Sequence, residues 1–380
     1  MTPSPEPFRI SATDADLDDL RARLRRTRWP EAEPVDDWSQ GIPLAYVQEL
    51  CAHWADEYDW RRVEAELDGY EQVRIAVDGV GIHVLHARSP QTDALPIVMT
   101  HGWPGSIVEF LDVLGPLTDP AAHGGDPVDS FHVVCPTLPG YGWSDKPTTP
   151  GWGVERIADA WVDVMAAVGY ERFGAQGGDW GSAVTTELGH RHGEHCIGIH
   201  LNMVSVGPGR GGTDELTAAE QAALDSLARY QEWQAGYSTQ QATRPQTVGY
   251  GLVDSPAMQA AWIVEKFWDW SDHDGHPEDV FRRDRLLDNV MMYWLPAAGA
   301  SSARLYWESF RRRRPRGTID VPSGMSIFPK EIFRASRRWA ERRFTDIRHW
   351  NELDRGGHFA AFERPDTFVD EVRTFFRHVR

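Results

Sequence analysis

Lysine is almost missing from this chain. Only Lys146, Lys266 and Lys330 stand among its 39 basic residues. The bias suggests a GC-rich coding sequence and says nothing about chemistry. Cationic charge as a whole is outnumbered, with 57 acidic residues and a net charge of −18. A nucleic-acid partner is therefore not expected, and good solubility is. Cysteine is equally scarce. Cys51, Cys135 and Cys196 are odd in number and widely scattered, which excludes a disulfide framework, shows no metal-ligand spacing and fits a reduced cytoplasm. Long apolar runs are also missing: nothing approaches the roughly 18 residues of a membrane span. The N-terminus, Met-Thr-Pro-Ser-Pro-Glu-Pro, has neither the basic nor the apolar region of a signal peptide. A cytoplasmic protein without a membrane partner is the expectation. Internal repeats and low-complexity segments are absent as well.

What is present is aromatic and organised in blocks. The 380 residues include 17 tryptophans, and the length can bury a large core. Residues 1–70 read as a helical wrapping segment, with Leu17, Leu20 and Leu24 at the three-and-four spacing of an amphipathic helix. Further helix is expected over 42–67. From residue 71 the pattern turns to strands: Gln72–Val77, Ile82–His86 after a turn at 78–81, the apolar run Pro96–Thr100, Phe131–Cys135, and a strand reaching Phe173. Helices near 107–117 and 154–168 alternate with them, as in a mainly parallel sheet covered on both faces. Residues 206–213 hold four glycines and a proline and read as a linker. A helical, aromatic-rich block then precedes the arginines 311–314 and 316, which read as a solvated face. Val321–Phe328 and a strand from Ile347 return to the sheet, and a helix over 364–379 closes the chain. The division is a wrapping segment over 1–70, a first core part over 71–207, a helical cap over 208–315 and a second core part over 316–380.

The chemistry centres on Gly177-Gly178-Asp179-Trp180-Gly181. This is the Gly-x-nucleophile-x-Gly elbow of α/β-hydrolases, in which a sharp strand-to-helix turn pushes the central side chain out above the sheet. Here that side chain is Asp rather than Ser. A carboxylate is ionised at neutral pH and can displace at a saturated carbon to form an alkyl ester on the enzyme. Hydrolysing that ester requires a histidine to activate water and an acid to orient it. His358, in the glycine loop Asp354-Arg-Gly-Gly-His, is the candidate base. Glu331, just after a strand, competes with Asp354 as the orienting acid and is favoured. His101-Gly-Trp-Pro-Gly follows a buried strand. The backbone N–H groups of Trp103 and Trp180 are candidate oxyanion donors, while His101 reads as structural. On the residues alone two substrates stay open: a carbon–halogen bond, with indoles receiving halide, or an epoxide, with phenols such as Tyr237 and Tyr306 receiving the oxygen. A binder of hydrophobic ligands without turnover is a third reading.

The chain resembles the microsomal-type epoxide hydrolases over nearly its whole length. The resemblance is carried by Leu20-Arg-Ala-Arg-Leu-Arg-Arg-Thr-Arg-Trp-Pro, Tyr58-Asp-Trp-Arg, His101-Gly-Trp-Pro-Gly-Ser, Gly177-Gly-Asp-Trp-Gly, Phe328-Pro-Lys-Glu and Gly356-Gly-His-Phe-Ala-Ala-Phe-Glu. It implies an α/β-hydrolase fold with an inserted helical cap and an N-terminal helical wrapping segment. It implies Asp179 as nucleophile, His358 as base and Glu331 as acid, the last two at the family's spacing. It places the epoxide-polarising phenols at Tyr237 and Tyr306, with Tyr230 a competitor for the first. It also implies a homodimer. The expected enzyme uses no cofactor, and its aromatic-rich cap suggests a bulky apolar or aromatic epoxide, whether a xenobiotic for detoxification or an intermediate of secondary metabolism being open.

Overall fold

The computed structural model describes residues 4–209, 215–310 and 317–380. Part of the expected linker and the arginines at 311–314 and 316 lie outside these residues, as do the expected boundary at 315/316 and its flanks.

The N-terminal segment opens with a short strand, β1 (Glu6–Pro7), and three helices: α1 (Asp14–Arg25), α2 (Leu44–Asp56) and α3 (Trp60–Leu67). A reciprocal cap starts α1. The Thr13 hydroxyl accepts the Asp16 N–H, and the Asp16 carboxylate accepts the Thr13 N–H. Leu17, Leu20 and Leu24 are buried as their spacing predicts. The helix expected over 42–67 is instead two helices. Asp59 caps the second by accepting the Arg61 N–H at 2.9 Å, so the chain breaks and restarts at residues 57–59.

Next come β2 (Glu71–Val77) and β3 (Val80–Ala87). Their hairpin is tighter than expected: Asp78 and Gly79 alone form it, both at positive φ (51° and 78°), which suits the twist of the paired strands. The core continues as β4 (Leu95–Thr100), α4 (Leu111–Thr118), β5 (Phe131–Pro136), α5 (Val154–Ala167), β6 (Phe173–Gly177), α6 (Asp179–Arg191) and β7 (Cys196–Leu201). Six helices then run outside the sheet: α7 (Ala218–Arg229), α8 (Gly236–Thr243), α9 (Pro245–Asp254), α10 (Pro256–Asp269), α11 (Arg283–Trp294) and α12 (Gly299–Phe310). The chain returns through β8 (Ser323–Ile327), α13 (Arg337–Ala340), β9 (Ile347–Glu352), α14 (Ala360–Glu363) and α15 (Pro365–Arg377).

The sheet has the order β1-β2-β3-β5-β4-β6-β7-β8-β9. Pairing is antiparallel from β1 to β5 and parallel from β5 to β9. The order reverses around β4, so the loops after β4 and β6 leave the same carboxyl edge side by side. That is where open α/β sheets hold their ligands. Cys51, Cys135 and Cys196 are free and buried.

The N-terminal segment is tied to the cap by charge. Asp288 of α11 is fully buried. Its carboxylate accepts the Tyr58 hydroxyl at 2.8 Å, Arg62 at 2.6 Å and Arg285 at 3.3 Å. Removing one member of a buried ion pair strands the others. Asp288→Ala is expected to destabilise the fold by about 3 kcal/mol, the low end for buried pairs because Arg62 keeps some solvent. A urea midpoint equal to that of the unsubstituted protein contradicts this.

Candidate active site

β6 ends at Gly177 and α6 begins at Asp179, which adopts a φ of 47°. A non-glycine residue at positive φ is strained, and the neighbouring packing must hold it there. The glycines on either side make that packing possible. A side chain on Gly181 would drive into the Thr100 carbonyl of β4, and one on Gly177 into the Gly181 carbonyl. The helix therefore starts in contact with two strand ends, and the Asp179 side chain is lifted off the sheet edge.

The loop after β4 meets it there. The Trp103 N–H donates to Asp179 Oδ1 at 2.7 Å. Four bonds hold the loop. His101 Nε2 accepts the Leu138 N–H at 3.2 Å, so its Nδ1 carries the proton and donates to the Gly102 carbonyl at 2.9 Å. Burial pushes the His101 pKa down to about 4, which keeps this tautomer neutral. From α11, the Asn289 amide donates to the Pro104 carbonyl and the Tyr293 hydroxyl to the Gly105 carbonyl, each at 2.7 Å. Trp180, next after Asp179, lies in the first turn of α6, where backbone N–H groups lack an intrahelical acceptor.

On the other side, His358 brings its Nε2 to 3.5 Å from Asp179 Oδ2, while its Nδ1 is 2.7 Å from Glu331 Oε1. Two backbone bonds set this geometry. Lys330 N–H donates to the Gly356 carbonyl, and His358 N–H to the Trp270 carbonyl. Asp354, the competing acid, is exposed, whereas Glu331 is buried. Burial alone would make the imidazole neutral. The Glu331 and Asp179 carboxylates outweigh it and hold the His358 pKa well above the usual range.

Above these groups lies a cavity of about 730 Å³. Asp179 and Trp180 form part of its floor, and Tyr237 of α8 and Tyr306 of α12 belong to its walls. The two phenol rings are 5.7 Å apart and nearly perpendicular. Tyr237 stacks on the Trp103 indole at 4.7 Å, and Tyr306 stands edge-on to Trp180 at 4.7 Å. Burial, with Asp179 and the neighbouring phenols adding to it, raises both hydroxyls well above their usual pKa, so they are proton donors. Among the described residues the Tyr306 hydroxyl makes no hydrogen bond of ordinary geometry, and the nearby phenol is Tyr237. The hydroxyls of Tyr237 and Tyr230 are 3.1 Å apart. Tyr230 stands on a π-helical turn, Tyr230–Gln234, with its ring edge against Phe333. It also lines the cavity, but Tyr237 is the phenol packed between Trp103 and Tyr306.

Several residues that the sequence reading passed over belong to this neighbourhood. The Lys266 ammonium is buried 5.2 Å from the Tyr237 ring centre and bonds Asp269 at 3.1 Å. Asn289 and Tyr293 clamp the loop after β4. Glu109 and Gln176 lie behind Asp179. Glu109 had a readable signal, a single carboxyl inside the apolar run Ile107-Val-Glu-Phe-Leu. Nothing local marks the others. Among the described residues no cluster of three or more His, Cys, Asp or Glu is arranged to hold a metal ion, and no helix is long and apolar enough to cross a membrane.

The arrangement defines an α/β-hydrolase whose elbow presents a carboxylate. The family description "alpha/beta hydrolase fold" matches residues 96–252, and "Epoxide hydrolase N terminus" matches residues 5–110. A protein of Stigmatella aurantiaca, provisionally named an epoxide hydrolase, is 52% identical over 98% of this chain and 85% of its own. Epoxide hydrolase 1 of Oryctolagus cuniculus is 32% identical over 97% of this chain and 88% of its own. The solved epoxide hydrolase of Aspergillus niger superposes with a TM-score of 0.89 at 30% identity, over 100% of this chain and 97% of that one. This chain belongs to the epoxide hydrolase family.

If Asp179 sustains the charge on His358, the neutral variant Asp179→Asn lowers the imidazole pKa. Titration of the His358 ring followed by ¹⁵N NMR should show a lower midpoint in the variant than in the unsubstituted protein. An unchanged midpoint removes Asp179 from the electrostatics of the base.

Proposed function

We propose that this protein hydrolyses a bulky apolar or aromatic epoxide to a vicinal diol through an ester on Asp179. The observation that carries the reading is a carboxylate facing two protonated phenols across one cavity. In this reading Tyr237 and Tyr306 donate to the epoxide oxygen while Asp179 Oδ2 attacks a ring carbon from the opposite side. The C–O bond breaks, and one phenol gives its proton to the alkoxide. Oδ1, already held by the Trp103 amide, becomes the ester carbonyl. Esterification removes the charge that sustains the imidazolium. His358 sheds its proton, the phenolate recovers one, and the neutral imidazole, oriented by Glu331, becomes a base.

Water then attacks the ester carbon. Its proton passes to His358, the oxyanion rests on the Trp103 and Trp180 amides, and collapse releases the diol, whose leaving oxygen takes the proton back. A volume near 730 Å³ falls within the range of about 300–1,000 Å³ typical of small-molecule sites, and its aromatic lining favours apolar substrates.

A haloalkane dehalogenase needs converging indole donors instead. Trp180 and Trp270 both have buried indole N–H groups without partners, but Trp270 is not part of the cavity wall. Phenols, not a pair of indoles, line the space above Asp179.

A single turnover of styrene oxide in H₂¹⁸O tests the proposal. The expected outcome is an unlabelled new oxygen in the diol and label in the Asp179 peptide. Label passing directly into the diol overturns it. Tyr306→Phe should slow ester formation by about 10²–10³-fold, as loss of one charge-stabilising donor does. His358→Gln should leave ester formation in place and slow its breakdown by about 10²–10⁴-fold. Both are read by stopping the reaction and weighing the intact protein.

A further inference from the structure

We propose that a small chamber behind Asp179, walled by Glu109, Gln176 and His358, holds the water that hydrolyses the Asp179 ester, with Glu109 as its positioning residue. The inference rests on the ester reading above. It begins from the fact that Asp179 lines two cavities and is the only residue common to both. The larger is the substrate space beneath the phenols. The smaller, about 20 Å³, lies on the far side of the carboxylate, next to the loop after β4. A water molecule needs about 10–15 Å³ of such space and two to four polar partners.

The walls supply those partners. Gln176, on β6, is 1% exposed. Its amide donates to Asn202 Oδ1 at 2.8 Å, and its Oε1 is buried with no partner among the described residues. An unmatched buried acceptor of this kind is unfavourable unless a donor reaches it. Asn202 and His358 also border the chamber.

Glu109 completes it. The residue is part-buried and its carboxyl borders the chamber, where loss of solvent, with the Asp179 charge adding to it, pushes its pKa up to about 8 against the pull of the His358 charge and the Gly102 amide. At neutral pH it is a proton donor. A water that accepts from Glu109 has both its own hydrogens free, one for Gln176 Oε1 and one for His358 Nε2. The second is the proton the base removes.

The separation of the two spaces has a chemical purpose. Once the ester forms, its alkyl group occupies the substrate cavity and obstructs the carbonyl from that side. Water stored behind the carboxylate reaches the ester carbon without crossing the substrate. It is also screened from the epoxide by Asp179 itself, so the ring opens on the carboxylate and not on water.

The test uses Glu109→Leu, which removes the donor, and Gln176→Met, with His358→Gln as reference, each mixed rapidly with styrene oxide. Ester formation and decay are followed by intact-protein mass, and folding by thermal unfolding. In both chamber variants ester should form at the unsubstituted rate and decay about tenfold more slowly or worse, the effect of losing one hydrogen bond to the attacking water. If decay is unchanged in either variant, or formation and decay slow by the same factor, the chamber is not the water site. Gln176→Met leaves Glu109 in place, so the test survives a Glu109→Leu protein that does not fold. If His358→Gln never shows a covalent adduct, the ester reading itself fails and this inference falls with it.

Discussion

A carboxylate carried at positive φ beneath an aromatic roof is the constraint on which this structure turns. Asp179 is only slightly accessible, with 13% of its side chain exposed, so its charge must be met by fixed groups rather than by bulk water. Three kinds of group meet it. The start of α6 contributes the positive end of the helix dipole, the Trp103 amide donates directly, and the His358 imidazolium stands at 3.5 Å. The groups that neutralise the resting carboxylate are also those that an ester, and then an oxyanion, would require, which is what preorganisation means in physical terms.

Holding those groups in place is the task of the remaining chain. Asp288 and Asn289 are neighbours on α11 and look in different directions. Asp288 binds Tyr58 and Arg62 of the N-terminal segment, whereas Asn289, with Tyr293 one turn on, grips the loop that carries Trp103. A segment that reads in isolation as a helical preface thus braces the cap helix that braces the loop after β4. The Lys330–Gly356 and His358–Trp270 backbone bonds do the same for His358 and Glu331 from the opposite side. The site is clamped between the N-terminal segment, the cap and the two final sheet loops.

Much of this was legible before any coordinates. The Asp elbow, the His101-Gly-Trp-Pro-Gly loop and the Gly-Gly-His loop are local motifs, because a sharp turn or a rigid loop needs particular residues in sequence. The alternating strands are local in the same sense. The misreadings were local too. Asp59 looked like one more polar residue of a continuous helix, and only its caught N–H shows that it starts a new one. Glu109 sat in plain view inside an apolar run, where a lone carboxyl signals either a hidden partner or a raised pKa.

What the sequence determined by itself was the sheet-and-cap order, the family and the residues at the turns, since each depends on neighbours a few positions away. Tertiary structure alone decided the matters that depend on distance through space. It brought Glu331, the acid already favoured over Asp354, to 2.7 Å from His358 across 27 residues of chain. It stacked Tyr237 on Trp103 and left Tyr230 behind it. It put Asp179 between a large cavity and a small one, with Glu109 and Gln176 on the far wall. Periodicity and motif carry no record of such contacts, because hydrogen bonds and desolvation act over about 3–4 Å of space whatever the separation along the chain.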